Sequence, residues 1–252
     1  MQTKYQEMNR QADKAKSQKF LDREHCLVTL ALKIMHKDGN SSLSMETLTA
    51  QSDYSKGTIY NHFSCKEDLL SAISIQSMVQ LKDLFSRAIL FKGNTRERLI
   101  AIQFAYLVHA QLNPEQFMCI LTCKTTAVTE KASHQRQQIC VNKENEILDL
   151  FNALVKEAEI NHELNINQPN GLQLVTFCNW SVSFGSLALL MHIEDSQVTN
   201  TLDLQEAFLH NICMMLDGVG WKPHSSQWDY NKTINRIKSE IFAPEIKLLS
   251  TM

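Results

Sequence analysis

The segment Ser55–Phe63, followed directly by Ser64–Leu70, constrains the fold of this chain most. It reads Ser-Lys-Gly-Thr-Ile-Tyr-Asn-His-Phe and then Ser-Cys-Lys-Glu-Asp-Leu-Leu. A serine hydroxyl at a helix N-cap accepts a hydrogen bond from an otherwise unpaired backbone N–H, so Ser55 is predicted to begin a short helix. Ser64 and Glu67 have the spacing of a capping box, which predicts that a longer helix starts just after Phe63. Asn94 and Glu97 have the same spacing and predict the start of a further helix.

Two further helices are predicted upstream of this segment. Apolar residues recur at helical spacing between positions 27 and 34, and the run Asp-Gly-Asn at 38–40 is predicted to end that helix. Ser44 is predicted to cap another helix from about 45 to 52. The predicted order is therefore helix, short helix, tight turn, short helix, long helix.

Ser55–Leu69 resembles the end of the helix-turn-helix in the tetracycline-repressor (TetR) family. The family pattern is Ser-Lys-Gly-Thr-(Ile/Leu)-Tyr-x-His-Phe-x-x-Lys-Glu-x-Leu, and every fixed position matches. The resemblance covers roughly residues 18–75. It implies an all-α fold with a three-helix DNA-binding domain at 18–65 and a helical ligand-binding and dimerisation domain at 66–220. The segments 1–17 and 221–252 would then be extensions.

The resemblance also implies a double-stranded DNA operator as partner. Ser44 and Ser55 would cap the helices that point at phosphates. Lys56, Gly57 and Thr58 are expected to face the groove. Tyr60, His62 and Lys66 are expected to position the DNA backbone. The full predicted contact set is Ser44, Ser55, Lys56, Gly57, Thr58, Tyr60, Asn61, His62 and Lys66.

The turn between the two short helices departs from the family pattern. Where the family usually has Ala, Ala, Gly and Val, this chain has Thr49, Ser52, Asp53 and Tyr54. Aspartate tolerates the left-handed conformation of a turn glycine, so Asp53 is expected to adopt it. Two interpretations stay open: the changes are neutral, or Asp53 and Tyr54 alter the approach to DNA because a carboxylate repels phosphate.

Composition favours a soluble helical chain with a sizeable core. Apolar residues make up 44% and charged residues 21% of the 252 residues, with only four prolines and seven glycines. No apolar run is expected to reach membrane-spanning length, and the N-terminus has no apolar secretory segment. The seven cysteines form no regular framework, which favours reduced thiols and a cytoplasmic location.

The net charge of −2 indicates that no broad basic surface is present. Specific DNA binding would therefore depend on a few placed groups. The N-terminal extension is locally cationic, and it is either a flexible arm that touches DNA or a solvated tail. Its cations are Lys4, Arg10, Lys14, Lys16 and Lys19.

Two neighbouring apolar helices are predicted near the C-terminus. Residues from Phe177 to Met191 recur at intervals of three and four, which is the spacing of a helix–helix seam, and a second apolar helix follows between 202 and 216. The spacing alone fits an internal core as well as a dimer interface, whereas the resemblance implies a homodimer. The predicted interface consists of Phe177, Trp180, Phe184, Leu187, Met191, Phe208, Ile212 and Met215.

The resemblance implies a small-molecule pocket in the C-terminal domain. Its candidate residues are also ordinary core residues, and His109 is the polar candidate among them. An anionic ligand would need a cation or a helix N-terminus in the pocket, and the scarcity of Lys and Arg favours a small apolar or aromatic effector. The candidates are Phe104, His109, Phe117, Met118, Phe151, Phe177 and Trp180.

An enzyme is not predicted. Cys119 and Cys123 are one helical turn apart, and His109 or His134 could add a metal ligand, but a second ligand pair is missing. No catalytic residue, metal or cofactor is therefore assigned. The resemblance implies a ligand-responsive repressor that binds a pseudo-palindromic operator as a homodimer. The alternative is a dimeric helical interaction module that no longer binds DNA. The extension 221–252 either braces the dimer or frays.

Overall fold

The computed structural model describes residues 2–193 and 197–252, with side chains described from Lys16 onward except that of Asn40. Within these residues every regular element is a helix, which confirms the predicted all-α fold. The α-helices are α1 (Gln2–Asp38), α2 (Met45–Gln51), α3 (Lys56–His62), α4 (Lys66–Ala88), α5 (Thr95–Leu112), α6 (Pro114–Thr122), α7 (Thr126–Thr129), α8 (His134–Ile160), α9 (Gly171–His192), α10 (Leu204–Gly218), α11 (Tyr230–Glu240) and α12 (Ala243–Leu249).

The chain forms two compact units. The first contains the chain up to Ile75 together with Cys119–Ile139, and the second contains Gln76–Met118 and Cys140–Met252. The sequence analysis predicted a domain boundary between residues 65 and 66. It did not predict that residues 119–139 belong to the same unit as the N-terminal helices. That membership depends on contacts between residues far apart in the chain, which local sequence patterns do not encode.

The predicted helix caps of the first unit are present. Ser44 Oγ accepts a hydrogen bond from the Thr47 N–H at 2.9 Å, and Ser55 Oγ accepts one from the Thr58 N–H at 3.2 Å. The first helix ends at Asp38, before Gly39 adopts a φ of 83°, a conformation that favours glycine. The core of this unit includes Leu27, Ala31, Ile34, Leu48, Ile59, Phe63 and Leu69.

The turn between α2 and α3 corrects the expectation for Asp53. The described non-glycine residues with positive φ are His162 and Asn170, so Asp53 does not take a left-handed conformation. Instead Ser52 Oγ accepts a hydrogen bond from the Tyr54 N–H at 3.1 Å, and Tyr54 packs against the core of the first unit. Asp53 is exposed beside them.

The start of α4 differs from the predicted capping box. The Ser64 N–H and hydroxyl both donate to the Asp68 carboxylate, whereas Glu67 forms an ion pair with Lys131 at 3.1 Å. Because α4 begins at Lys66, its third residue is Asp68, the position from which a side chain reaches back to cap a helix. Burial alone would raise the pKa of Asp68, but hydrogen bonds from Ser64 and Ser133 hold it below its ordinary value.

The second unit is built around α5. Fifteen of the 18 residues of α5 are buried, and α9, α10, α11 and α12 all pack against it. The capping box predicted at Asn94 and Glu97 is present and starts this helix. A helix that is buried on every side lies at the centre of its domain.

The C-terminal extension is an integral part of the second unit. Trp221, Ile237 and Phe242 are fully buried, and the Phe242 ring lies 5.9 Å from that of Phe104 on α5. The Trp221 indole N–H donates to the Thr95 hydroxyl at 2.9 Å. The extension therefore braces α5 of its own chain and does not fray.

Two helices depart from the sequence expectations in extent or character. Helix α8 starts at His134, well before its apolar stripe at 147–155. Its first turns contain no buried residue and show no apolar periodicity, so the sequence pattern does not mark them as helix. Helix α9 is long and apolar enough to cross a membrane by length and composition, which corrects the expectation that no such stretch exists. Only 22% of that stretch is buried within the chain, and its exposed apolar residues include Leu174, Phe177, Trp180 and Leu189.

Candidate nucleic-acid interface and effector region

Helix α3 has one buried face and one exposed face. Ile59 and the following Phe63 are fully buried in the core of the first unit. Lys56, Tyr60 and Asn61 are exposed, and the Lys56 ammonium lies 5.5 Å from the centre of the Tyr60 ring. The exposed face therefore presents a cation, a phenol and an amide, which can all bond to phosphates and base edges.

The N-terminus of α3 is open to solvent. Ser55 and Gly57 are exposed, and the hydroxyl of the half-buried Thr58 lies 3.0 Å from that of Ser55. A Cβ added at Gly57 would meet only Ser55 Oγ, at 4.0 Å. The fold itself therefore does not require glycine here, and the missing side chain leaves room for a partner beside the positive end of the helix dipole.

The structure corrects the expected role of His62. Its side chain is buried, its ring stacks on Phe20 with 3.9 Å between centres, and its Nδ1 lies 3.6 Å from Glu24 Oε2. Burial lowers the pKa of His62 despite the raising effect of Glu24. The imidazole thus holds α1 against α3 and is not available to position a DNA backbone.

The other residues of the predicted interface, and the described cations of the N-terminal extension, are more accessible than His62. Lys66, the first residue of α4, and Ser44, the cap of α2, are half-buried. Lys16 and Lys19 on α1 are exposed. The side chains of Lys4, Arg10 and Lys14 lie outside the described residues.

The predicted dimer residues divide into three groups. Phe177 and Trp180 are 62% and 38% exposed, whereas Phe184, Met191 and Met215 are half-buried. The remaining three, Leu187, Phe208 and Ile212, are fully buried inside their own chain and present no surface to a partner. Other exposed apolar residues extend the uncovered surface of α9 and α10, namely Leu174, Leu189 and Met214.

The structure brings only some of the predicted effector residues together. Phe117 lies 5.5 Å from Tyr106 and 5.0 Å from Phe184 between ring centres, and Trp180 bonds to the Tyr106 hydroxyl. Phe104 instead packs against Phe242. Of the others, Phe151 is buried, Met118 is half-buried and the exposed Phe177 lies on the surface.

His109 is the polar group of this region. It is fully buried, its Nε2 lies 2.8 Å from the Ser77 hydroxyl, and its Nδ1 has no hydrogen-bond partner among the described residues. Burial lowers the pKa of His109 to about 4, so the ring is neutral at pH 7. A buried ring nitrogen without a partner is costly unless a ligand or water bonds to it.

Residues 27–73 match the family model of the bacterial regulatory proteins of the tetR family. These residues have the helix-turn-helix of the TetR family. The matched residues run from the buried face of α1 into α4 and include the whole of α2 and α3. The first unit thus contains a helix-turn-helix of the tetR-family type.

Several solved structures have the same fold as this chain. A protein of unknown function from Rhodococcus sp. RHA1 has a TM-score of 0.62 and 19% identity, over 78% of this chain and 95% of its own. A tetR-family regulatory protein from Rhodococcus RHA1 has a TM-score of 0.60 and 15% identity, over 79% and 97%. FadR from Bacillus subtilis, solved with stearoyl-CoA, has a TM-score of 0.59 and 14% identity, over 77% and 97%. No curated protein matches the chain.

Sequence reasoning missed Arg136 as a functional candidate. This residue belongs to the first unit and donates to the carbonyl of His62 at the end of α3, at 3.1 Å. It lies in the polar stretch before the apolar stripe of α8, and no motif or periodicity distinguishes it from its neighbours.

The stability of the folded chain should depend on the protonation of His109. Because its pKa is lowered to about 4 in the folded chain, the stabilisation is complete above pH 6.5 and is lost as the pH falls to 4. The free energy of unfolding should fall by about 3 kcal/mol over this range from His109 alone. Urea unfolding of the wild type and His109→Gln at pH 7 and pH 4.5 measures this contribution. An equal difference between the two proteins at both pH values would contradict it.

Proposed function

We propose that this TetR-family protein is a ligand-responsive cytoplasmic repressor without enzymatic activity. It binds a pseudo-palindromic operator as a homodimer, with one recognition helix from each subunit in successive major grooves. The observation that carries this proposal is the exposed face of α3, whose N-terminus is capped, unobstructed and bordered by Lys56 and Tyr60.

The chemistry of this surface supports operator recognition by a few placed groups. Lys56, Thr58 and Asn61 are the side chains of α3 that can reach base edges, while Tyr60 and Lys66 bond to the backbone phosphates. The N-cap hydroxyls of Ser44 and Ser55 leave other N–H groups at the helix starts free for phosphate oxygens. With a net charge of −2, long-range attraction to DNA is weak, so these contacts determine the affinity.

The uncovered apolar surface of α9 and α10 supports the homodimer. Phe177, Trp180, Leu189 and Met214 would remain in water in a monomer, and apolar residues clustered on one face mark an interaction surface. A two-fold interface pairs this surface with itself. We therefore place the dimer contact on these residues and on the half-buried Phe184, Met191 and Met215, and we leave out Leu187, Phe208 and Ile212.

The effector region supports a small, neutral and mostly apolar ligand. The aromatic rings around Phe117 provide apolar contact, and neutral His109 provides one hydrogen-bonding nitrogen. FadR from Bacillus subtilis was solved with stearoyl-CoA, so a protein of this fold binds a ligand with an apolar acyl chain. Binding of the effector is proposed to stabilise a conformation with lower operator affinity.

The DNA-binding proposal is tested with a duplex that the wild-type protein enriches from a random-sequence library. Replacing Tyr60 and Lys66 together by alanine should weaken binding to this duplex and to unrelated duplexes by a similar factor. The plot of log Kd against log salt should become flatter by about one unit, because one cationic phosphate contact is lost. Fluorescence anisotropy over a range of salt concentrations measures both effects.

Gly57→Ala is the companion variant. A Cβ at this position meets no protein atom closer than 4.0 Å, and alanine favours the helix by up to about 1 kcal/mol. The melting temperature should therefore stay equal or rise while operator affinity falls. Unchanged DNA binding in both variants would contradict the assigned surface. Failure of the wild type to enrich any duplex would favour the helical interaction module that does not bind DNA.

A further inference from the structure

Arg136, the third residue of α8, is bound to two other helices of the first unit. Its Nη1 donates to Glu24 Oε1 at 2.9 Å and its Nη2 donates to Glu24 Oε2 at 2.7 Å. This two-point geometry is the strong form of an arginine–carboxylate pair. The Arg136 side chain is 12% exposed, so water screens the pair only weakly.

The same guanidinium caps the end of α3. Arg136 Nη2 donates to the carbonyl of His62, the last residue of that helix, at 3.1 Å, and the guanidinium lies 5.1 Å from the centre of the Phe63 ring. A cation at a helix C-terminus interacts favourably with the helix dipole and satisfies a carbonyl that has no partner within the helix. One side chain therefore joins α1, α3 and α8.

Neighbouring contacts fix the segment that carries Arg136. The Ser133 N–H donates to Asp68 Oδ1 at 2.6 Å, and Lys131 pairs with Glu67 at 3.1 Å. The Cys123 thiol donates to the Leu70 carbonyl at 3.1 Å. Residues 119–139 are thus held to the start of α4 as well as to α1 and α3.

The short length of α3 makes its orientation depend on these contacts. It has only seven residues, and its polar face must meet DNA at hydrogen-bond distance. A small tilt of the helix would move Lys56 and Asn61 away from their base edges, and a misplacement of about 1 Å is enough to lose such contacts. Ile59 and Phe63 hold α3 by apolar packing, which is non-directional, whereas Arg136 fixes the position of its C-terminal end.

We propose that Arg136 is a positioning residue for operator recognition, and that residues 119–139 complete the module that reads DNA. Arg136 acts through α3 and does not touch DNA, because both of its terminal nitrogens already bond to Glu24 and His62. This inference rests on the proposed DNA-binding function.

Arg136→Lys keeps the charge but cannot form the two-point pair and the carbonyl contact together. We expect roughly ten-fold or greater loss of affinity for the enriched duplex, which corresponds to about 1.4 kcal/mol. Affinity for unrelated duplexes and the salt slope should stay unchanged, since no phosphate contact is lost.

Arg98→Lys is the matched control. Arg98 likewise pairs with a carboxylate, that of Glu157, and a carbonyl, that of Ile89, but it lies in the second unit. Its replacement should leave DNA binding within about two-fold, because its partners Glu157 and Ile89 also lie in the second unit and not on α3.

Hydrogen exchange provides a readout that does not need DNA. Amides of α3, including the Phe63 N–H that bonds to the Ile59 carbonyl, should exchange faster in Arg136→Lys and not in Arg98→Lys. Unchanged exchange in α3, or unchanged operator affinity in a folded Arg136→Lys protein, overturns the proposal. A salt slope reduced by about one also overturns it, because Arg136 would then contact phosphate directly.

An Arg136→Lys variant that does not fold and a wild type that enriches no duplex lead to different conclusions. If Arg136→Lys does not fold, Glu24→Gln replaces it in the same measurements, since this variant keeps the arginine and its bond to His62 but removes the opposite charge. It should show the same selective loss to a smaller extent, and normal operator affinity would overturn the proposal. If the wild type enriches no duplex, the proposed function fails, and the exchange of α3 amides still decides whether Arg136 positions the helix.

Discussion

Phe177→Glu is expected to convert the dimer into monomers and to abolish operator binding. Because the Phe177 side chain is 62% exposed in the single chain, a glutamate there costs an isolated monomer little. In a two-fold interface the change places two carboxylates against an apolar surface, and each unpaired buried charge costs several kcal/mol. The dimer should weaken by at least about 100-fold, and operator affinity should fall with it because both half-sites must be occupied.

Light scattering and fluorescence anisotropy on the same samples check both effects, with circular dichroism to verify folding. Leu90→Glu is the matched control, since Leu90 is also exposed and apolar but lies in the turn after α4. Phe177 is a sharper choice than Trp180 or Phe184, whose side chains also contact Tyr106 and Phe117 within the chain. A wild-type protein that scatters as a monomer, or a Phe177→Glu dimer, would contradict the proposed interface.

Arg96→Met should destabilise the second unit by about 3–5 kcal/mol. The Arg96 side chain is fully buried and donates to Asp217 at 2.6 Å, to the Ser225 hydroxyl at 2.8 Å and to the carbonyl of Trp221. Methionine fills similar volume but leaves these acceptors without a donor. The melting temperature should drop by about 10 °C, given the size of the chain, and the extension after residue 220 should become sensitive to protease.

Arg236→Met is the control for this experiment. Arg236 lies in the same extension, but its ion pair with Glu240 is partly exposed, so water screens the pair and its loss should change the stability little. Thermal unfolding monitored by circular dichroism, together with limited trypsin digestion, measures both variants. Equal stability of Arg96→Met and Arg236→Met would show that Arg96 does not anchor the extension.

The features that the sequence alone predicted depend on residues close together in the chain. The caps at Ser44, Ser55 and Asn94 and the end of α1 at Asp38 follow from interactions over three or four residues. The helix-turn-helix motif is similarly local, and residues 27–73 match its family. The exact first residue of a helix still decides which side chain caps it. Because α4 starts at Lys66, the capping residue is Asp68 and not the predicted Glu67.

Contacts between distant parts of the chain were decided only by the tertiary structure. An apolar spacing of three and four residues predicts one helix face but not what covers it, so Phe177 is exposed whereas Leu187 on the same helix is buried. His62 matches a DNA-contact position, yet Phe20 and Glu24 bury it. Arg136 acquires its role from a carboxylate 112 residues away. A single sequence encodes local hydrogen bonds and periodicity directly, whereas the partner of a polar or apolar side chain is fixed only when the helices pack.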